Sequence, residues 1–213
     1  MPADNGGDAA LPQAVPNRRR AGRDERLVEV IEAAEALFGE HGYDQVSMDD
    51  VARIVGVSKP VVYDLVGSKE QLFRMAMTRR TAELAARVTM AVAAAAPDQR
   101  MRAGVVGFFE FVEDHRTVWR RLVAQGAGPA TAEILAARRR QAEIVAELFV
   151  SDIGGLAGIP DPANAIATMA NGALEALANW WIDHDEVPIG AIIELSMAFL
   201  DPGIAALGLI RDD

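Results

Sequence analysis

Serines at positions 47, 58 and 68 constrain the fold of this chain more than any other feature, because each stands where a helix can begin. Ser47 lies three residues before Asp50, and Ser68 three before Gln71. A serine hydroxyl accepts a hydrogen bond from a free amide in the first helical turn, and an acid or amide at the third position can return one. Ser58 follows Gly56-Val57 and opens Lys59-Pro60. Proline suits a first turn, where the missing N–H would have no partner. The spacing predicts helices over 48–55 and 59–66, and a third from 69 onward. Met48, Val51, Ala52 and Val55 give the first of these a buried face. Two short helices joined by a glycine turn, the second carrying an apolar face and a tyrosine, are the sequence form of a helix-turn-helix.

The rest of the chain is also helical in pattern. Leu27, Val30, Ile31, Ala34, Leu37 and Phe38 recur at three- and four-residue steps before Gly42. Beyond 69 a long helix reaches about Ala95, with Leu72, Phe73, Ala76, Met77, Leu84 and Val88 as its apolar positions. Further helices are expected near 99–114, 116–125, 130–150, 162–183 and 188–200, with Pro129, Pro160, Pro162, Pro188 and Pro202 at or near boundaries. Nothing alternates as a strand does. The expected fold is all-α, of about nine helices. It comprises a tail over 1–20 ending in arginines, a helix-turn-helix head over 21–68 and a helical body over 69–213, with the helix from Lys69 linking the two.

Composition narrows the setting. The 213 residues include no cysteine, which excludes disulfides and thiolate metal sites. No signal-peptide core and no membrane-length apolar run occur, so a cytoplasmic protein without a membrane partner is expected. A net charge of −10 argues against a general nucleic-acid coat, but five arginines fall between positions 18 and 26.

A helix N-terminus presents unpaired N–H groups and partial positive charge, so it suits phosphate. The three helix starts, with the Ser47 and Ser58 hydroxyls, the Tyr63 OH and the Lys69 ammonium, make a phosphate-gripping set. Lys59, Pro60, Val61 and Asp64 lie on the exposed face of the second short helix. Lysine donates to guanine, valine packs on a thymine methyl, and aspartate accepts from cytosine or repels phosphate. Arg18, Arg19 and Arg20 form an arm of the kind that enters a minor groove.

Residues 27–73 resemble the DNA-binding head of the TetR (tetracycline repressor) family of bacterial transcriptional regulators. The resemblance is carried by Ala-Leu-Phe-Gly-Glu-His-Gly-Tyr at 36–43, Ser-Met-Asp-Asp-Val-Ala at 47–52, Gly-Val-Ser-Lys-Pro at 56–60, Tyr63, and Gly-Ser-Lys-Glu-Gln-Leu-Phe at 67–73. It implies a homodimer with one head on each half-site of a near-palindromic double-stranded operator, and phosphate contacts at Ser47, Tyr63 and Lys69. The family usually has an aromatic pair where this chain has Leu65-Val66. Leu65 has no donor for a contact made there.

By the same resemblance the body serves dimerisation and effector binding. Ala163, Ala167 and Ala170 suit close helix approach, and Ile192, Ile193 and Met197 supply apolar area, so these are the expected dimer contacts. Met90, Phe108, Phe111 and Trp119 suit an apolar pocket, which points to a small, largely apolar effector. Asn171 and Glu175 lie on a polar stripe of the 162–183 helix. That stripe is either a solvated face or one that turns inward to orient a ligand. Asp183-His184-Asp185-Glu186 is too sparse in histidine for a metal site. No phosphate loop, nucleophile elbow or di-iron signature is present, so no cofactor and no catalytic residue is expected. The leading expectation is an effector-released repressor. The alternatives are an activator or interaction protein of the same fold with weak operator binding, and a helical enzyme.

Overall fold

The computed structural model describes residues 22–120, 131–149 and 160–206. Among these the secondary structure is helical throughout: α1 Arg23–His41, α2 Met48–Val55, α3 Lys59–Val66, α4 Lys69–Ala94, α5 Arg100–Asp114, α6 Arg116–Val118, α7 Thr131–Phe149, α8 Pro162–Trp181 and α9 Ile189–Ala206, with a 3-10 turn at Pro97–Gln99. The expected α2 and α3 match to the residue. The expected tail and the arginine arm at Arg18, Arg19 and Arg20 lie outside the described residues. So does 121–125 of the expected 116–125 helix, of which the structure describes only a short first turn.

Pro202 departs from expectation, standing inside α9 rather than at its end. A proline removes the bond to the carbonyl four residues back. Here that residue is Ala198, which is exposed to solvent. Water can therefore satisfy its carbonyl, and the helix continues.

Two apolar cores form, and α4 belongs to both. The first packs Val30, Ala34, Leu37 and Phe38 of α1 against Val51, Val55, Val62 and Val66 of α2 and α3, and against Leu72, Phe73 and Met77 of α4. Phe38 and Tyr43 close it over Phe73, with ring centroids 5.1 and 4.9 Å from the Phe73 ring. The second packs Leu84, Val88 and Val92 of α4 with Phe108, Phe109 and Val112 of α5, Trp181 of α8, and Ile192 and Met197 of α9. A head thus sits on a body with one continuous helix running through both.

Gly39 makes a further joint between them. A Cβ at Gly39 would lie 2.6 Å from Val118 Cγ2, so α6 rests on α1 only because this position is bare. A buried electrostatic joint accompanies it. Glu35 on α1 is 1% exposed and receives Arg79 Nη1 at 3.1 Å and Arg80 Nη2 at 2.8 Å from α4. Arg79 also holds Glu32 at 2.7 Å. Two acids of α1 are in this way paired with the linking helix.

Candidate nucleic-acid interface and ligand cavity

The head is built from local signals. Ser47 caps α2 by accepting from the Asp50 N–H at 3.2 Å, and Asp50 accepts from the Ser47 N–H at 3.0 Å. The Ser47 hydroxyl also donates to the Asp50 carboxyl at 2.6 Å and, ahead of the Ser47 N–H and Arg53, holds that carboxyl below its ordinary range. Gly56 ends α2 at φ 75 and ψ 34, a left-handed conformation that costs glycine nothing and lets α3 turn away sharply.

The other two serines differ from a simple capping pattern. The Ser68 hydroxyl accepts from the Gln71 N–H at 3.1 Å, but the Ser68 N–H donates to the Val66 carbonyl, so no reciprocal box forms. The Ser58 hydroxyl makes no cap bond, because the Val61 and Val62 amides bond the Ser58 carbonyl instead. The first turn of α3 keeps an exposed hydroxyl beside Pro60.

The three helix starts are knitted together. Lys59 at the start of α3 pairs with Asp49 in the first turn of α2 at 2.6 Å. Lys69 at the start of α4 donates to the Asp44 carbonyl at 3.3 Å, in the segment leading to α2, and stands 4.4 Å over the Tyr43 ring. Tyr63 is 42% exposed on α3. Pro60 and Asp64 are also exposed and Val61 is half-buried. Asp64 is held by Arg23, whose Nη2 donates to its backbone carbonyl at 3.2 Å, so its carboxylate is directed toward α1. Leu65 packs against the head core and Val66 lies within it.

In the body two narrow apolar slots and one wider polar opening lie around α7 and α8. The first slot is lined by Val88, Met101, Val105 and Phe108 together with Ile166, Asn171 and Leu174. The second is lined by Leu84, Phe111, Trp119, Arg80, His115, Arg138 and Glu175. Each encloses about 60 Å³. The opening encloses about 320 Å³ between Leu135, Arg138 and Arg139 of α7 and Thr168, Asn171 and Glu175 of α8. Of the residues expected to line a pocket, Phe108 and Asn171 border the first slot and Phe111, Trp119 and Glu175 the second. Met90 does not: it is 72% exposed, because the buried stripe of α4 runs through Val88 and Val92 and leaves position 90 outside.

On the α8 polar stripe, Asn171 and Glu175 border the slots rather than open solvent alone. Glu175 is gripped by Arg138 through Nη2–Oε2 at 2.6 Å and Nε–Oε1 at 3.1 Å. Burial raises its carboxyl above the ordinary range, opposed by Arg138. Asn179 accepts from Trp119 Nε1 at 2.8 Å. Arg138 was not singled out in the sequence. It stands in the run Arg138-Arg139-Arg140, and nothing in that run marks which arginine turns inward.

The comparisons with known proteins agree with this architecture. Residues 30–76 match the family described as bacterial regulatory proteins, tetR family, and residues 97–200 match the tetracyclin repressor-like C-terminal domain. An HTH-type transcriptional activator, FasR of Mycolicibacterium smegmatis, is 30% identical over 203 residues, covering 92% of this chain and 91% of the relative. An HTH-type transcriptional regulator, EthR of Mycobacterium tuberculosis, is 30% identical over 133 residues, covering 59% of this chain and 60% of its own. The crystal structure of a TetR-like transcriptional regulator from Rhodococcus sp. RHA1 superposes with a TM-score of 0.67 at 26% identity, covering 87% of this chain and 99% of that one.

The chain belongs to the TetR family. It is a TetR-family transcription regulator, and the family is one of regulators rather than enzymes. Among the described residues no helix is long and apolar enough to cross a membrane, and no group of three metal-binding side chains occurs. His184 instead stacks on Trp180 with ring centroids 3.9 Å apart.

The expected dimer contacts of this TetR-family chain need correcting. Ala167, Ile192, Ile193 and Met197 are buried in its own core, Ala170 packs against that core, and Ala163 is half-buried. They are the inner faces of α8 and α9. The outer faces carry Met169 at 70% and Phe199 at 69% exposure, with Trp180 and Leu195 also exposed. Gly172 and Ala176 on α8, and Ala191 and Ala198 on α9, are exposed beside them.

Proposed function

We propose that this regulator acts as a homodimer on a near-palindromic double-stranded operator and leaves it when a small effector enters the body. The observation that supports the DNA reading best is the joining of three helix starts by Lys59–Asp49 and Lys69–Asp44, which gathers their positive ends on one head. Tyr63, the Ser47 and Ser58 hydroxyls and Lys69 grip phosphate, and Val61 with Lys59 meets base edges. The arm at Arg18, Arg19 and Arg20 adds charge. Dimerisation uses the outer faces of α8 and α9, since large exposed apolar side chains on adjoining helices mark an association surface. A ligand that binds the DNA-incompetent arrangement better than the competent one shifts the equilibrium between them. The Gly39–Val118 and Glu35–Arg80 joints give it a route to the head.

Gel shifts against the promoter of the protein's own gene, repeated at several salt concentrations, test this reading. Affinity should fall steeply with salt and exceed that for random DNA. A flat salt response, or equal affinity for random DNA, rules it out. Repression is the mode proposed. Activation is the second reading, favoured by the name of the FasR relative as a transcriptional activator. A reporter assay with and without the protein separates them.

A further inference from the structure

Three cavities among the described residues of the body meet along one strip of side chains. Arg138 and Glu175 border both the second slot and the polar opening, Asn171 borders the first slot and the opening, and Gln141 borders both slots. The opening carries Arg138 and Arg139 against Glu175 alone, an excess of positive charge in a chain whose net charge is −10. Arg139 makes no ion pair with another described residue. Asn171 Nδ2 is shut from solvent and has no hydrogen-bond partner among the described residues. A buried donor of this kind calls for an acceptor.

We infer that the opening binds the anionic head of an amphiphile, whose apolar tail passes Asn171 into the first slot. The inference rests on the effector reading above and adds to it the chemical class of the effector. A guanidinium recognises a carboxylate through two parallel bonds. Arg138 presents such a fork at the cavity junction and spends it on Glu175 at 2.6 and 3.1 Å. Glu175 therefore occupies the position that a ligand carboxylate takes, and it competes with the ligand for Arg138. Arg139 and the Asn171 amide supply further donors. The slot beyond is walled by Val88, Val105, Phe108, Ile166, Leu174 and Leu200. At about 60 Å³ the slot is smaller than a ten-carbon tail, so an unbranched tail enters by displacing the side chains of its walls, and a fused ring system would need a larger displacement.

Calorimetric titration of the full chain with decanoate, 1-decanol and butyrate tests this. Decanoate should bind at least about tenfold more tightly than either, since 1-decanol lacks the charge and butyrate the tail. Arg139→Gln, at an exposed position, should weaken decanoate about tenfold and leave 1-decanol unchanged. Glu175→Gln should strengthen decanoate binding, because it removes the competing charge and frees Arg138. A purely structural role for the Arg138–Glu175 pair predicts the opposite sign. No decanoate binding, equal affinity for 1-decanol, or weakening by Glu175→Gln overturns the assignment. Operator binding of the same preparations, measured without ligand, reads the regulator proposal separately. Operator binding without decanoate binding overturns only the amphiphile site. Decanoate binding without operator binding overturns only the regulator reading.

Discussion

Lys69 is held in place before any DNA arrives. Its ammonium lies over the Tyr43 ring and donates to the Asp44 carbonyl, so little side-chain freedom remains to be lost on binding phosphate. Lys69→Ala should weaken binding to every DNA sequence alike and lower the salt slope by about one. Val61 is half-buried on the exposed side of α3. Val61→Ala should instead alter base preference, by about 1–3 kcal/mol at one position of the operator. Competition gel shifts on a panel of operator variants distinguish the two, and equal effects across all sequences from both would contradict these roles. Lys59 differs from Lys69 because its ammonium is committed to Asp49. Asp49→Asn should free it, raising affinity severalfold at low salt and less at high salt. That commitment was not legible in the sequence: positions 49 and 59 lie on different helices, and only the angle of the turn at Gly56 brings them together.

The elements divide by how local their signals are. α2 and α3 were legible to the residue because serine, proline and glycine act within one turn of themselves. The faces of α8 and α9 were harder to read. Both helices are apolar on two sides, so periodicity shows that Ile192, Ile193 and Met197 are buried without saying whether against this chain or another. Leu195 and Phe199 lie on the other side of the same helix. Phe199→Asp should therefore convert a dimer to a monomer in light scattering while leaving helix content unchanged, whereas Ile192→Asp should unfold the body. Unchanged mass for Phe199→Asp would rule out this face. Gly39 makes a parallel point about small residues. Its role is hidden in sequence because its neighbour, Val118, is distant in the chain. Gly39→Ala must push Val118 away from a 2.6 Å approach. Overpacking of this kind costs about 1–3 kcal/mol, which a shift in denaturant midpoint would register.

At the scale of the molecule, head and body meet where α4 and α6 pack on α1. The sequence showed a long helix leaving the head but not which of its arginines turn toward α1. Glu35 gathers Arg79 and Arg80, and Arg80 Nη1 stands 2.7 Å from His115 Nε2 at the wall of the second slot. Arginine can only donate, so His115 Nε2 accepts, and its Nδ1–H donates to the Phe111 carbonyl at 2.9 Å. A line of contacts thus runs from the cavity wall to the core of the head. Its buried acid leaves a signature in the pH dependence of stability. Burial raises the Glu35 carboxyl above 4.5, opposed by Arg80 and then Arg79, with Glu83 and Glu32 adding to the rise. The folded chain then binds its proton more tightly than the unfolded chain does. Stability from this group is fully present below the ordinary carboxylate range and is lost as pH rises through the raised folded value. Glu35→Gln cannot titrate, so its stability relative to the parent should increase from about pH 4.5 upward and level off above the folded value. Paired denaturant melts across pH 4 to 8, roughly the span of carboxylate and histidine titration, measure that difference. A difference constant with pH, or falling as pH rises, would show that Glu35 ionises in the fold as readily as in water. The Arg79–Glu35–Arg80 joint would then be a surface pairing in energy despite its burial.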